Sequence, residues 1–242
     1  MPFQVPEVKG DVIFESFPAG PLQCNCSIVG DPISKRCLVI DPGGDPDRIM
    51  TFVLELGLTV VGIVHTHAHI DHILASAEIK ARTGAALYLH QADMFLWNAL
   101  EDQCARFGLP YTPTPEPDGW LQDETLLDCC GGVAIHTPGH TPGSVSFWFG
   151  DHDLLVAGDT LFQMGIGRTD LPGGVLRRLR TPLLNACFGS RMMRWSSRGT
   201  GLQLRLPLRN KLIPSLAASD RQRRINGIDA GRNPGETTLQ EV

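Results

Sequence analysis

The sequence predicts a mixed α/β domain built in layers over residues 1–174. Three observations carry that expectation. Short runs rich in β-branched and apolar residues alternate with segments of helical periodicity. The 242 residues include 26 glycines and 18 prolines, a share that favours many turns and short elements over a helical bundle. Hydrophobic residues at 42% and charged residues at 19% are globular values, in a chain long enough to bury a substantial core.

Val12–Phe17, Cys24–Val29 and Arg36–Ile40 read as strands. Asp41-Pro42-Gly43-Gly44-Asp45 is a turn, with Asp45 or Asp47 as the cap of a helix containing Ile49, Phe52, Val53 and Leu56. The continuous apolar run Val60–Val64 predicts a strand buried on both faces. Ile73–Arg82 reads as a helix ended by Gly84, Ala85–Leu89 as a strand and Gln91–Phe107 as a helix. A proline-rich loop, Pro110 to Pro117, precedes three further strands at Val133–His136, Ser144–Phe149 and Leu154–Ala157.

Charge divides the chain. Residues 1–174 hold 8 Lys and Arg against 22 Asp and Glu, whereas residues 175–242 hold 13 against 4. All eight histidines lie at or before His152. We therefore expect a domain at 1–174 and a different kind of sequence at 175–242. No run approaches the ~20 apolar residues of a membrane span. Met1 to Asp11 lacks the apolar stretch of a signal peptide, so the expected location is cytoplasmic. The seven cysteines are an odd number without Cys-x-x-Cys spacing, which predicts reduced, packed thiols.

The chemistry concentrates in Val64-His65-Thr66-His67-Ala68-His69-Ile70-Asp71-His72, between a predicted strand and a helix. In extended backbone, residues two apart point the same way, so His67, His69 and Asp71 converge. His72 enters the helix turned from Asp71 and reaches a second point nearby. Imidazole nitrogen and carboxylate oxygen are what a zinc-like cation takes. His140 lies on the loop of His136-Thr137-Pro138-Gly139-His140-Thr141-Pro142-Gly143, and Asp159 ends the next strand as a carboxylate able to bridge two cations. His65 and His136 read as packing residues or supports behind the site, and His90 and His152 as surface or loop positions. Asp41 either orients a metal-holding histidine or shapes its turn. Arg168 either contacts substrate or forms an ion pair.

His67-x-His69-x-Asp71-His72 resembles the metallo-β-lactamase superfamily signature. The resemblance extends in order through the Asp41-Pro42-Gly43-Gly44 turn, the His140 loop, Asp159 and Gly165–Gly174. Gly165-Ile166-Gly167-Arg168-Thr169-Asp170 is similar to the hydroxyacylglutathione hydrolase (glyoxalase II-like) branch. The resemblance implies an αββα sandwich over about 11–174, incomplete at the C-terminus. It implies a first metal held by His67, His69 and His140, a second by Asp71 and His72, and Asp159 as the bridge. Zinc is the expected cation, and iron or manganese suits the same ligands. The implied activity is hydrolysis of a small thioester, such as an S-acylglutathione, by metal-bound hydroxide, with Asp71 positioning the nucleophile. A single-iron persulfide dioxygenase-like oxidoreductase and an inactive pseudoenzyme or binding module are the alternatives. A true β-lactamase is a weaker one, since such enzymes are usually exported.

The resemblance also calls for a Pro-Gly-His-Gly loop whose histidine binds the second metal, and no histidine follows His152. The genetic code permits that string one base out of frame across Ser197–Gly201, continuing as Pro-Ala-Thr-Thr to Arg205. It likewise permits Asn-Pro-Phe-Leu across Leu212–Leu216. A family-like string is also permitted between Leu184 and Ser197. We therefore expect residues beyond about 175–184 to be an out-of-frame translation, leaving one tightly held metal, a weak second one, low activity and exposed apolar surface. The alternative is a genuine Arg-rich appendage that binds nucleic acid or an acidic partner. Nucleic acid is not an expected partner of the domain.

Overall fold

The computed structural model describes residues 7–9, 12–162, 165–170, 173–175, 194–195 and 203–205. Seven strands form one sheet in chain order: β1 (Glu7–Lys9), β2 (Val12–Ala19), β3 (Cys24–Gly30), β4 (Arg36–Ile40), β5 (Thr59–Val64), β6 (Ala86–Leu89) and β7 (Gly119–Trp120). Its first half is antiparallel. From β4 to β7 the strands run parallel, because helices rather than hairpins connect β4 to β5 and β5 to β6. The second sheet contains β8 (Val133–His136), β9 (Val145–Phe149) and β10 (Leu154–Val156). The short strands β11 (Leu161–Phe162) and β12 (Gly165–Ile166) pair by themselves. β13 (Arg194–Trp195) and β14 (Gln203–Arg205) extend the second sheet beyond β10, so residues from the Arg-rich part join it. Apart from Val175 and these two strands, that part lies outside the described residues, and with it the positions of the out-of-frame strings other than Arg194–Trp195 and Gln203–Arg205.

Alternation along the first sheet feeds two separate cores. On one side, Cys26, Ile28, Val39, Ile63, Leu87 and Leu89 pack under the helices α1 (Pro46–Glu55), α2 (Ile70–Ile73), α3 (Ser76–Thr83), α4 (Met94–Asn98) and α5 (Leu100–Phe107). On the other side, Val29, Leu38, Ile40 and Val64 meet Ala134, Val145, Phe147, Phe149, Leu154 and Val156 of the second sheet. The expected sandwich is present as helix layer, sheet and sheet. Among the described residues, no helix covers the far face of the second sheet, and none is long and apolar enough to cross a membrane.

Element positions follow the sequence closely, and three details differ. Asp45 stands at the start of α1 in left-handed backbone (φ 50°), and its carboxylate accepts from the Gly20 amide at 2.9 Å instead of capping the helix. Asp47 is in the first turn of α1 and pairs with Arg82. The helix expected at Ile73–Arg82 is α3, with a separate turn, α2, before it. The one expected at Gln91–Phe107 is broken into a 3-10 turn at Gln91–Asp93 followed by α4 and α5. Gln103 repairs the second break: its amide donates to the Leu96 carbonyl (2.8 Å) and accepts from the Ile70 amide (3.0 Å). A segment read as one helix is therefore folded around the histidine loop.

The turn after β4 explains its paired glycines. A Cβ on Gly43 would lie 1.7 Å from the Asp71 carbonyl oxygen, so only glycine lets this turn lie against the start of α2. Gly43→Ala should destabilise the protein by about 1–3 kcal/mol through forced separation of the two segments. Thermal melts of wild type and variant measure it, and an unchanged midpoint would refute this close packing.

Candidate metal centre

The histidine run leaves β5 at its C-terminal end, where open α/β sheets leave room for a site. Two buried carboxylates hold it from behind. Asp41 Oδ1 accepts from the Thr66 amide (2.7 Å), and its Oδ2 accepts from Thr66 Oγ1 (2.6 Å) and His72 Nδ1 (3.0 Å). Asp93, fully buried at 0% exposure, accepts from the amides of Ala68 (3.2 Å) and Gly143 (2.6 Å) and from Thr141 Oγ1 (2.7 Å). Asp93 thus ties the His67–His69 segment to the His140 loop. Burial raises its pKa, against the lowering effect of these three donors.

These supports decide which ring nitrogens face inward. His72 Nδ1 donates to Asp41, so Nε2 is the nitrogen that faces the centre. His140 Nδ1 donates to the Arg168 carbonyl at 2.8 Å, and Nε2 again points in. Thr66 Oγ1 gives its proton to Asp41, so at 3.1 Å it accepts from His67 Nδ1, leaving Nε2 of His67 free. The freed nitrogens converge. His140 Nε2 lies 3.2 Å from His67 Nε2 and 2.9 Å from His69 Nδ1. Lone pairs that close repel unless a proton or a cation sits among them, so this donor set fits a metal ion.

His67, His69 and His140 form one group with all ligand atoms within 4.8 Å of one another. His67, His72 and Asp159 form another, and Cys24, Asp71 and His72 a third. Asp159 lies between them, with Oδ2 3.7 Å from His140 Nε2 and Oδ1 3.6 Å from His72 Nε2. The six residues singled out as ligands in the sequence therefore meet in one place. Gly167 passes beneath, and a Cβ there would lie 1.7 Å from the Asp159 carbonyl oxygen.

Electrostatics divide the centre. Burial, reinforced by the neighbouring histidines, pushes His67 well below the usual imidazole pKa and His69 down to about 3. At His72 burial acts in the same direction, but Cys24, Asp71, Asp41 and Asp159 outweigh it and raise the pKa well above the usual value. A pocket that favours a proton on His72 favours a metal cation there too. Asp159 is held below the usual carboxylate range by His72, His140 and His69, although burial opposes this.

Three of the other histidines, His65, His90 and His136, brace the site. His65 Nδ1 donates to the Tyr88 carbonyl (2.9 Å), and its Nε2 accepts from Ser76 (2.7 Å). His136 stacks on His90 at 4.2 Å, and its Nε2 donates to the Pro142 carbonyl at 3.0 Å, steadying the His140 loop. His152 lies in a short turn remote in sequence from all of these. The exposed Arg168 side chain pairs with Asp170 (2.8 Å), while its main chain supports His140. Sequence reasoning missed that support, the Asp93 tether and the position of Cys24. The alternation of Cys24 and Cys26 gave only the direction of the cysteine side chain, not its neighbour.

The family model for the metallo-beta-lactamase superfamily matches residues 19–194. The chain belongs to the metallo-beta-lactamase superfamily. Within it, the hydroxyacylglutathione hydrolase GloC of Haemophilus influenzae is 37% identical over 178 residues, covering 70% of this chain and 84% of the relative. The probable metallo-hydrolase YqgX of Bacillus subtilis is 40% identical over 179 residues, covering 69% and 79%. Among solved structures, the di-iron-bound form of TTHA1623 superposes with a TM-score of 0.65 at 31% identity, covering 71% of this chain and 85% of that one. The BLEG-1 B3 metallo-beta-lactamase gives 0.67 at 33% identity, covering 78% and 94%. The TTHA1623 structure is a di-iron-bound form, so zinc is not the sole choice among these relatives.

The depressed histidines make metal-free protein acid-sensitive. In the unfolded chain His67 and His69 take up protons near ~6.5. Folded, they resist protonation, so below that pH the unfolded state binds more protons and stability falls. His72, shifted upward, contributes no further change below ~6.5 because it is protonated in both states. Chelator-treated protein should therefore melt at least about 3 °C lower at pH 5.5 than at pH 7. An equal or higher midpoint at pH 5.5 would contradict this. Asp93→Asn should cost about 1–3 kcal/mol, because one amide cannot satisfy all three donors. Urea unfolding of the metal-free variant measures this, and a stability equal to wild type would exclude the tether.

Proposed function

We propose that the protein is a metal-dependent hydrolase acting on a small thioester of the S-acylglutathione type. The observation that carries this reading is the inward convergence of imidazole lone pairs beside Asp159 and Asp71. The 37% identity to a hydroxyacylglutathione hydrolase supports the thioester class. His67, His69 and His140 would hold one cation and Asp71 and His72 a second, with Asp159 placed near both groups. When bound, such cations acidify water and polarise an acyl carbonyl.

The chain's own groups supply the rest. Asp71, with 28% of its side chain exposed, is the carboxylate most open to an entering water and orients it. Asp41 and the Arg168 carbonyl keep the Nδ1 protons of His72 and His140 in place, so neither ring can turn its N–H inward. A thiol has a pKa of ~8.5 and leaves as thiolate without a dedicated acid, consistent with the lack of an assigned proton donor. The guanidinium of Arg168, exposed and paired with Asp170, would exchange that partner for an anionic end of the substrate. The ligand types suit zinc first, with iron and manganese as alternatives.

Metal-loaded protein should release thiol from S-lactoylglutathione, and chelation should abolish the release. His67→Ala should lower it more than ~100-fold, since even residues behind a metal ligand cost 10–100-fold. Release by metal-free protein, or none by loaded protein, would overturn the thioesterase reading. Sulfite formation with oxygen uptake by iron-loaded protein would replace it with the dioxygenase reading.

We also propose that residues beyond about 175–184 are read out of frame. The two curated relatives are matched over 84% and 79% of their length but over only 70% and 69% of this chain, which supports it. The slow turnover expected of this chain follows from the absence of a histidine after His152. Resequencing the gene tests the frame: a continuous frame without Pro-Gly-His-Gly codons near 197–201 rules the change out.

A further inference from the structure

Cys24 begins β3 on the same face as Cys26, but the two have different surroundings. Cys26 is buried in the helix-side core, whereas Cys24 lies just beyond that core's rim. Its Sγ is 3.2 Å from His72 Nε2, the nitrogen left free when Nδ1 donates to Asp41. The same Nε2 is 3.5 Å from Asp71 Oδ2 and 3.6 Å from Asp159 Oδ1. Metal–sulfur bonds of ~2.3 Å and metal–nitrogen or metal–oxygen bonds of ~2.0–2.2 Å set tetrahedral edges of about 3.4–3.6 Å. The three separations around His72 Nε2 are close to those edges. Cys24, Asp71 and His72 offer ligand atoms within 4.8 Å of one another, and Asp159 adds an oxygen 3.6 Å from the same His72 nitrogen.

We propose that Cys24 is a thiolate ligand of the second cation, together with Asp71, His72 and Asp159. In this chain it completes the position that lacks a histidine. This rests on the metal centre described under the proposed function, not on the identity of the substrate. On binding, the Cys24 S–H bond breaks, its proton passes to water and a metal–sulfur bond forms. A thiolate is softer than imidazole or carboxylate, so it biases this position towards zinc over manganese.

Cobalt(II) loading of the full chain tests the assignment. Wild type should take up two cobalt ions and develop intense near-ultraviolet thiolate-to-cobalt absorption as the second ion enters. Cys24→Ser and Cys24→Ala should lose that absorption and bind the second cobalt about 10–100-fold more weakly, while Cys26→Ser keeps both properties. Zinc X-ray absorption on the wild type needs no variant, and should show sulfur at ~2.3 Å. Absence of sulfur in that spectrum, a single cobalt per chain, or an undiminished band in Cys24→Ser would each overturn the assignment. Thiol release from S-lactoylglutathione on the same samples separates the two readings. Sulfur ligation without hydrolysis overturns the thioesterase alone, and hydrolysis without sulfur ligation overturns the Cys24 assignment alone.

Discussion

The centre depends on the carboxylate of Asp41. It is buried, it sits in left-handed backbone (φ 53°), and it takes three donors from the segment that carries the histidines. Two of those donors, the amide and hydroxyl of Thr66, fix the path of the chain as it leaves β5. The third fixes the ring of His72. Through Thr66 Oγ1 the effect also reaches His67, whose Nδ1 proton has its acceptor there. One buried charge thus fixes two imidazole tautomers. The close turn Asp41–Gly44 exists to bring that charge behind the loop, which is why its third residue tolerates no side chain.

Around this constraint the two cores have different tasks. The helix-side core anchors β5 and α2, and with them the His67–His72 run. The core between the sheets anchors β9 and β10, which deliver the His140 loop and Asp159. Asp93 joins the two halves, since it bonds to Ala68 on one side and to Thr141 and Gly143 on the other. Burial that would be unfavourable for so many titratable groups is offset by hydrogen bonds on their outer sides. Their inner sides are left unsatisfied, and a cation is the group that answers them.

Much of this was legible in the sequence. The strands from Val12 to Val156 other than the two-residue β7, the Gly-Gly turn and the convergence of six candidate ligand residues follow from periodicity and from the His-x-His-x-Asp-His resemblance. What escaped was set by tertiary neighbours. Asp45 looked like a helix cap, and Gly20 claims its carboxylate. Gln91–Phe107 carries one helical pattern, yet the inward turn at Asp93 and the contacts of Gln103 break it. Cys24 has the composition of a packed thiol, and only the approach of α2 to β3 brings it to His72. The support His140 receives from Arg168 is a main-chain contact, to which side-chain identity is blind.

Every candidate ligand atom belongs to a residue at or before Asp159, and of the two strands that flank β10, β9 precedes Asp159 and β14 follows it. During synthesis, therefore, all of these side chains are made before the Arg-rich region, while Arg168 and β14, which support His140 and β10, come later. A cation can be captured once Asp159 has left the ribosome, while the rest of the Arg-rich region is still being made, whatever frame that region is read in.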